Sequence, residues 1–121
     1  MKNGATVNLD ITLSNDVKVE VSGGDNAGLA CGTMDENTSL AVSLSSSSLD
    51  VSGESNAGVF VGKMSTDATL NIDKCNTLTD VNISANNAGG LVGSAENAEI
   101  NVGEGVTLTM TGSVTGSVTA G

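Results

Sequence analysis

One short block returns three times along the chain and constrains it more than any other feature. It reads Asn26-Ala27-Gly28-Leu29-Ala30-Cys31-Gly32, then Asn56-Ala57-Gly58-Val59-Phe60-Val61-Gly62, then Asn87-Ala88-Gly89-Gly90-Leu91-Val92-Gly93. Thr119-Ala120-Gly121 has the form of the opening of a fourth copy. The block alanines stand at 27, 57, 88 and 120, steps of 30, 31 and 32 residues. A fixed period in that range marks a repeat protein, in which each unit buries its apolar face only against its neighbours. Asn and Gly at the start of each block suit a turn that needs positive φ, and the apolar residues between the glycines suit a short buried strand.

The segments between blocks share a second regularity. Val7-Asn8-Leu9-Asp10-Ile11-Thr12-Leu13 alternates apolar and polar, Ser14-Asn15-Asp16 is a turn cluster, and Val17-Lys18-Val19-Glu20-Val21 resumes the alternation. Leu40–Leu44 with Leu49–Val51 repeats this grammar. Leu70–Ile72 with Thr79–Ile83, and Ile100–Val102 with Val106–Met110, repeat it again. A spacing of two is the period of a half-buried strand, and β-branched residues dominate, which excludes helical repeats. Leu40, Leu70 and Ile100 are spaced by 30, as are Val42, Ile72 and Val102, and each set reads as an interior column. Strand, turn, strand, turn and block strand make one circuit, so three strands per circuit predict a roughly triangular section. The fold expected is all-β: a parallel β-helix (β-solenoid) of about four rungs, right-handed because parallel crossovers favour that hand. Residues 1–121 form a single domain, with repeat units of approximately 1–27, 28–57, 58–88 and 89–121.

These blocks carry a resemblance. Asn-Ala-Gly-Gly-Leu-Val-Gly at 87–93 resembles the core of the GLUG motif, a tandem repeat of bacterial surface adhesins and some secreted peptidases. The strands that follow each block, and Val-Ser-Gly (51–53) or Val-Thr-Gly (114–116), are similar to the rest of such repeats. Only the third copy has Gly-Leu-Val-Gly intact; the blocks at 28–32 and 58–62 read as carrying one extra residue between their glycines. The resemblance implies a structural or adhesive β-solenoid module on a bacterial cell surface or in an extracellular fibre, with a host or cell-surface ligand among its partners. It implies no catalytic residues.

Composition narrows the partners. The net charge is −10, and the four basic residues are all Lys, at 2, 18, 63 and 74. Phosphate binding needs clustered Lys and Arg, so nucleic acid is excluded, and anionic membrane surfaces are equally disfavoured. No stretch has the length and apolarity of a signal peptide or a membrane span. The chain has no Arg, His, Trp or Tyr, and Phe60 is its one aromatic residue. With no motif placing a pair of acids, an enzyme is not expected. A thin globular core would result from 38% hydrophobic residues without aromatics, whereas a solenoid buries small side chains in stacked columns.

Four sets of residues invite a functional reading. Glu20, Asp50 and Asp80 each precede a Val (Val21, Val51, Val81) and, in a solenoid, would form an outward column of carboxylates about 4.8 Å apart. Such a column is either a solvated acidic face or a calcium site, and no other cofactor is expected. Asn26, Asn56 and Asn87 recur before each block and suit a hydrogen-bonded ladder. The glycines Gly28, Gly32, Gly58, Gly62, Gly89 and Gly93 complete the structural repeat. Thr107, Thr109 and Thr111 line one strand face in the manner of an ice-binding ladder, but Thr77 and Thr79 are followed by Val81, so the array is incomplete. Cys31 aligns with Val61 and Val92 and reads as a small buried hydrophobe. Cys75 falls where GLUG repeats often carry a cysteine, which implies a structural role.

The termini complete the sequence reading. The chain begins near the repeat phase at which it ends, and neither end carries a capping pattern. Uncapped solenoid ends expose strand edges. Head-to-tail self-association into a homo-oligomer or filament is the assembly expected, the alternative being one piece of a longer solenoid.

Overall fold

The computed structural model describes residues 2, 4–12, 18–45, 48–75, 78–103 and 110–120. Within them every regular element is a strand. β1 (Thr6–Thr12), β2 (Lys18–Ser22), β3 (Asn26–Ala27) and β4 (Cys31–Met34) make a first circuit. β5 (Ser39–Ser45), β6 (Ser48–Ser52), β7 (Asn56–Ala57) and β8 (Val61–Met64) make a second. β9 (Thr69–Cys75), β10 (Leu78–Ala88) and β11 (Val92–Ala95) make a third, and β12 (Glu99–Val102) and β13 (Met110–Ala120) follow. All strand pairs are parallel, and each joins equivalent strands of successive circuits.

Three sheets result. The first has the order β1-β5-β9-β12, and the third β11-β8-β4. The second joins β2-β6-β10 and β3-β7-β10, with β13 on the further edge of β10. The chain visits first, second and third sheet in turn, so the parallel sheets come close to enclosing one another. A strand period of two sends alternate side chains inward, and the repeat then stacks like on like. Leu40, Val42, Leu44, Leu70 and Ile72 fill the space from the first sheet, all within 1% of full burial. Leu49, Val51, Val81 and Ile83 fill it from the second, and Val61, Met34 and Met64 from the third. Phe60 lies fully buried at the corner before β8.

The expected columns hold in the first sheet: Leu40 pairs with Leu70 and Leu70 with Ile100, Val42 with Ile72 and Ile72 with Val102. Ile100 and Val102 lie on the edge strand β12 and remain 38% and 44% exposed. The second sheet corrects the expectation. Val21 pairs with Val51, but Val51 pairs with Ile83, and Val81 lies against Leu49. Two residues have been added on the way. The register jumps past Asp73, so that Ser43 faces Lys74 and Leu44 faces Cys75. A second residue enters between Cys75 and Asp80, since Ser48 stands opposite Asp80. The addition at Asp73 keeps the inward positions inward, because a bulge absorbs the extra residue outside the pleat.

The corners also differ from the expectation. The turn from third to first sheet is where positive φ occurs, at Asn37 (56°), Asp67 (61°) and Asn97 (48°). Short polar side chains tolerate this left-handed conformation, which is costly for others. The block glycines do not adopt it, and among the described glycines only Gly4 has positive φ. What Gly28, Gly58 and Gly62 supply is close approach. A Cβ on Gly58 would lie 2.7 Å from Val92 Cα, and one on Gly28 2.7 Å from Val61 Cα, each in the circuit that follows. A Cβ on Gly62 would lie 2.7 Å from the Ala27 nitrogen, and one on Gly93 2.5 Å from the Ala57 nitrogen, each in the circuit before. The two glycines of a block therefore let neighbouring circuits interlock at one corner from opposite sides.

Candidate functional site

Two regular features stand out on this frame: the corner built from the blocks, and the polar outer face of the second sheet. At the corner, Asn26, Asn56 and Asn87 are stacked by β3, β7 and β10, with Asn26 paired to Asn56 and Asn56 to Asn87. Their amides form one chain. Asn87 Nδ2 donates to Asn56 Oδ1 at 3.1 Å, and Asn56 Nδ2 donates to Asn26 Oδ1 at 2.7 Å. Asn26 Nδ2 turns to Thr33 Oγ1 at 3.0 Å within its own circuit. Asn56 is 9% exposed, so an unpaired amide here would carry a desolvation penalty, and the ladder removes it.

The block alignment is stricter than its glycines suggest. Gly58 N donates to Ala27 O and Gly89 N to Ala57 O, which makes Gly28, Gly58 and Gly89 equivalents. Leu29 N donates to Val59 O and Val59 N to Gly90 O, so Gly90 stands in the place of a side-chain-bearing residue. All three blocks thus have the same length from first to last glycine, with no residue inserted in the earlier two. The strand of the third sheet starts inside the block, at Cys31, Val61 and Val92, and runs past its last glycine, Gly32, Gly62 and Gly93.

On the outer face, Glu20 pairs with Asp50 as expected, but Asp50 pairs with Asn82. Asp80 stands two positions earlier, opposite Ser48. The column is therefore Glu20, Asp50, Asn82, and the added residues of the third circuit are the reason. Asn82 Nδ2 donates to Asp50 Oδ1 at 2.9 Å, and Ser113 Oγ donates to Asn82 Oδ1 at 2.9 Å. A parallel bond on the first sheet joins Asn101 Nδ2 to Asn71 Oδ1 at 3.1 Å. A shallow cavity of about 320 Å³ follows the column, with Ser22, Ser52 and Ser84 on its wall. Among the described residues no three Cys, Asp or Glu side chains come together in a group able to hold a metal ion. Chemically this face offers alternating hydrogen-bond donors and acceptors at the layer spacing.

Cys31 and Cys75 are not joined in a disulfide, and both are partly buried. Cys31 pairs with Val61, in the alignment read from the sequence, and its Sγ–H donates to Thr33 O at 2.9 Å. Cys75 follows Leu44 in an inward column, and burial pushes its thiol pKa up. The expected threonine array is outside the described residues at Thr77, Thr107 and Thr109. The left-handed set Asn37, Asp67, Asn97 was legible as an Asn/Asp position spaced by 30, a signal that the blocks overshadow. Compared with protein-family profiles, curated proteins and solved structures, the chain matches none.

Proposed function

We propose that the chain is a structural or adhesive repeat module of a bacterial cell-surface or extracellular protein, built as a right-handed parallel β-solenoid of triangular section. The observation that carries this reading is the like-on-like stacking of every circuit. Blocks lie on blocks, asparagine on asparagine, and the inward columns are filled throughout by apolar residues of similar size. Such a body is quasi-one-dimensional: its length follows from the number of circuits, and its outside is one polar motif repeated at the layer spacing. Asn71, Asn101, Asp50 and Asn82 supply that motif on two sheets. The right hand follows from the bias of parallel crossovers. Placement at a bacterial surface rests on the likeness of the blocks to GLUG repeats, and the acidic, Arg-free composition suits a solvated face more than a polyanion partner.

A display experiment tests the functional half. Fused to an outer-surface anchor in a non-adherent bacterium, the chain should raise retention of the cells on a host-cell layer under flow. The effect should fall when Asn71, Asn101 and Asn82 are replaced by Lys, at equal surface levels. Retention no higher than that of the anchor alone would leave a spacer and remove the adhesive role.

A further inference from the structure

The turns from the third sheet to the first place a left-handed residue at one phase of the repeat: Asn37, Asp67 and Asn97. All three are exposed. The conformation explains why an Asn or Asp stands there. It does not explain what surrounds Asn37. The stretch reads Asp35-Glu36-Asn37-Thr38-Ser39 and contains Asn-x-Ser, the acceptor pattern for N-linked glycosylation. Asp35, two places before the asparagine, extends it to Asp-x-Asn-x-Ser, the form that bacterial oligosaccharyltransferases take. The equivalent turns lack the pattern. Asp67 has a hydroxyl two places on, at Thr69, but no amide, and Asn97 has the amide but is followed two places on by Glu99.

The fold presents the Asn37 stretch in the way such a reaction needs. Thr38, the middle residue, is 2% exposed, and its Oγ1 donates to Asp35 O at 2.7 Å. Turning Thr38 inward leaves Asn37 exposed on one side of it. On the other side Ser39 opens β5, half-buried, at an outward position because the next residue, Leu40, faces the core. The amide to be modified and the hydroxyl that marks it therefore share the outer side of one turn. The Asn37 backbone is held by two long bonds, its N–H donating to Thr66 O at 3.3 Å and its oxygen accepting from Gly4 N at 3.2 Å.

The sequence has one other match, Asp80-Val81-Asn82-Ile83-Ser84, and the fold treats it differently. Asn82 lies within β10, whose backbone is paired to β6 on one side and to β13 on the other. Its amide is committed at both atoms: Nδ2 donates to Asp50 Oδ1 and Oδ1 accepts from Ser113 Oγ, each at 2.9 Å. A transferase has to bend the acceptor and bring the amide nitrogen to the sugar. At Asn82 that would take a central strand out of its sheet, whereas at Asn37 the chain is already turned.

We propose that Asn37 is the N-glycan acceptor of the folded chain. The proposal rests on the cell-surface or extracellular reading above for the meeting with a transferase, and on the turn alone for competence as an acceptor. The donor is an oligosaccharide carried on a polyprenyl diphosphate. Asn37 Nδ2 attacks the anomeric carbon of the first sugar, and a carbon–nitrogen bond forms. The bond from that carbon to the diphosphate oxygen breaks, polyprenyl diphosphate leaves with the electron pair, and one amide proton passes to a base. The glycan then stands at the corner between the third and first sheets and adds bulk and solubility there without entering an interior column.

The folded chain, incubated with a purified bacterial oligosaccharyltransferase and a polyprenyl-diphosphate-linked oligosaccharide, tests the site by intact mass and peptide mapping. One glycan is expected, at Asn37, with Asn82 unmodified. Asn37→Asp installs the residue type that the next circuit carries at Asp67, so it should keep the fold and lose the glycan. Ser39→Ala should lose it too. A gain of function guards against variants that merely misfold. Ala95→Asp combined with Glu99→Ser completes the pattern around Asn97, in the same left-handed turn, and should add a second glycan. The proposal is overturned if Asn37 of the folded chain stays unmodified while a standard acceptor peptide in the same reaction is consumed. Preferential modification of Asn82, or a Ser39→Ala chain modified as well as the parent, would overturn it equally. Because the components are purified, failed transfer is separable from failure of the surface reading, which the display experiment addresses.

Discussion

Asn56 both gives and takes in the buried ladder, donating to Asn26 and accepting from Asn87. Replacing it with Ala leaves the Asn26 carbonyl oxygen and the Asn87 amide without those partners, half-buried. Asn56→Ala should cost about 2–3 kcal/mol, two hydrogen bonds plus partial desolvation, read from the midpoint of urea unfolding. Gly58 is the sharper case, because the obstacle is backbone on both sides: a Cβ would meet Gly93 N and Val61 O, each at 2.7 Å. No flexible side chain can yield there. Gly58→Ala should destabilise by about 1–3 kcal/mol, as overpacking does, or prevent folding outright. Gly24, where an added Cβ meets nothing within 4 Å, is the control, and Gly24→Ala should melt within a degree or two of the parent. Equal effects of the two substitutions would mean that the circuits do not interlock at the block corner.

At the scale of strands, the third circuit shows how a repeat absorbs irregularity. Asp73 is passed over in the pairing of β9 with β5, yet Ile72 before it stays fully buried and Cys75 beyond it still faces the core. Deleting Asp73 should therefore leave a folded protein with a melting temperature close to the parent's, since it removes a bulge and preserves every inward position. Deleting Asn71 should unfold it, because a one-residue slip would turn Leu70 or Ile72 outward. Thermal melts of the two deletions, followed by circular dichroism, separate them. The same irregularity limited what could be read from the sequence. The period, the strand content, the first-sheet columns and the asparagine ladder were all legible, because equal spacing and alternation survive any detail of the path. The register of the second sheet was not. A spacing of 30 carried Asp50 to Asp80, whereas the added residues bring Asn82 there, and an apparent three-acid column became a hydrogen-bonded pair with a neighbouring acid. Glycine misled in a second way. Its usual meaning is a left-handed turn, but here it answers to contact between circuits, and contacts across a fold are not visible in a local stretch. The turns that do need left-handed residues are made by Asn37, Asp67 and Asn97, whose short side chains give a weaker signal than a glycine pair.

For the whole molecule, stacking implies that circuits are interchangeable modules. Removing residues 35–64 takes out one full period of 30 residues and joins Met34 to Ser65, which stands at the phase of Asp35. β4 then continues into the turn before β9, and three sheets remain, each one layer shorter. Val7 comes to face Leu70, Val21 to face Ile83, and Asn87 to donate to Asn26, whose bond to Thr33 is retained because Thr33 stays in place. Each new neighbour matches the one it replaces in character, Leu for Leu, Ile for Val and Asn for Asn. The shortened chain should therefore stay β-folded and unfold in one cooperative step, at a lower temperature because fewer nearest-neighbour interfaces hold it. Removing only residues 39–52 takes out β5 and β6 and leaves Thr38 joined to Gly53, with the first sheet interrupted between β1 and β9. That deletion is smaller, yet it should abolish folding, because β1 and β9 are then separated by an empty layer and the chain cannot close the circuit. Far-UV circular dichroism and size-exclusion chromatography distinguish the outcomes. If the smaller deletion is tolerated and the full-period one is not, stability does not reside in the stacking of whole circuits, and the modular account of this chain fails.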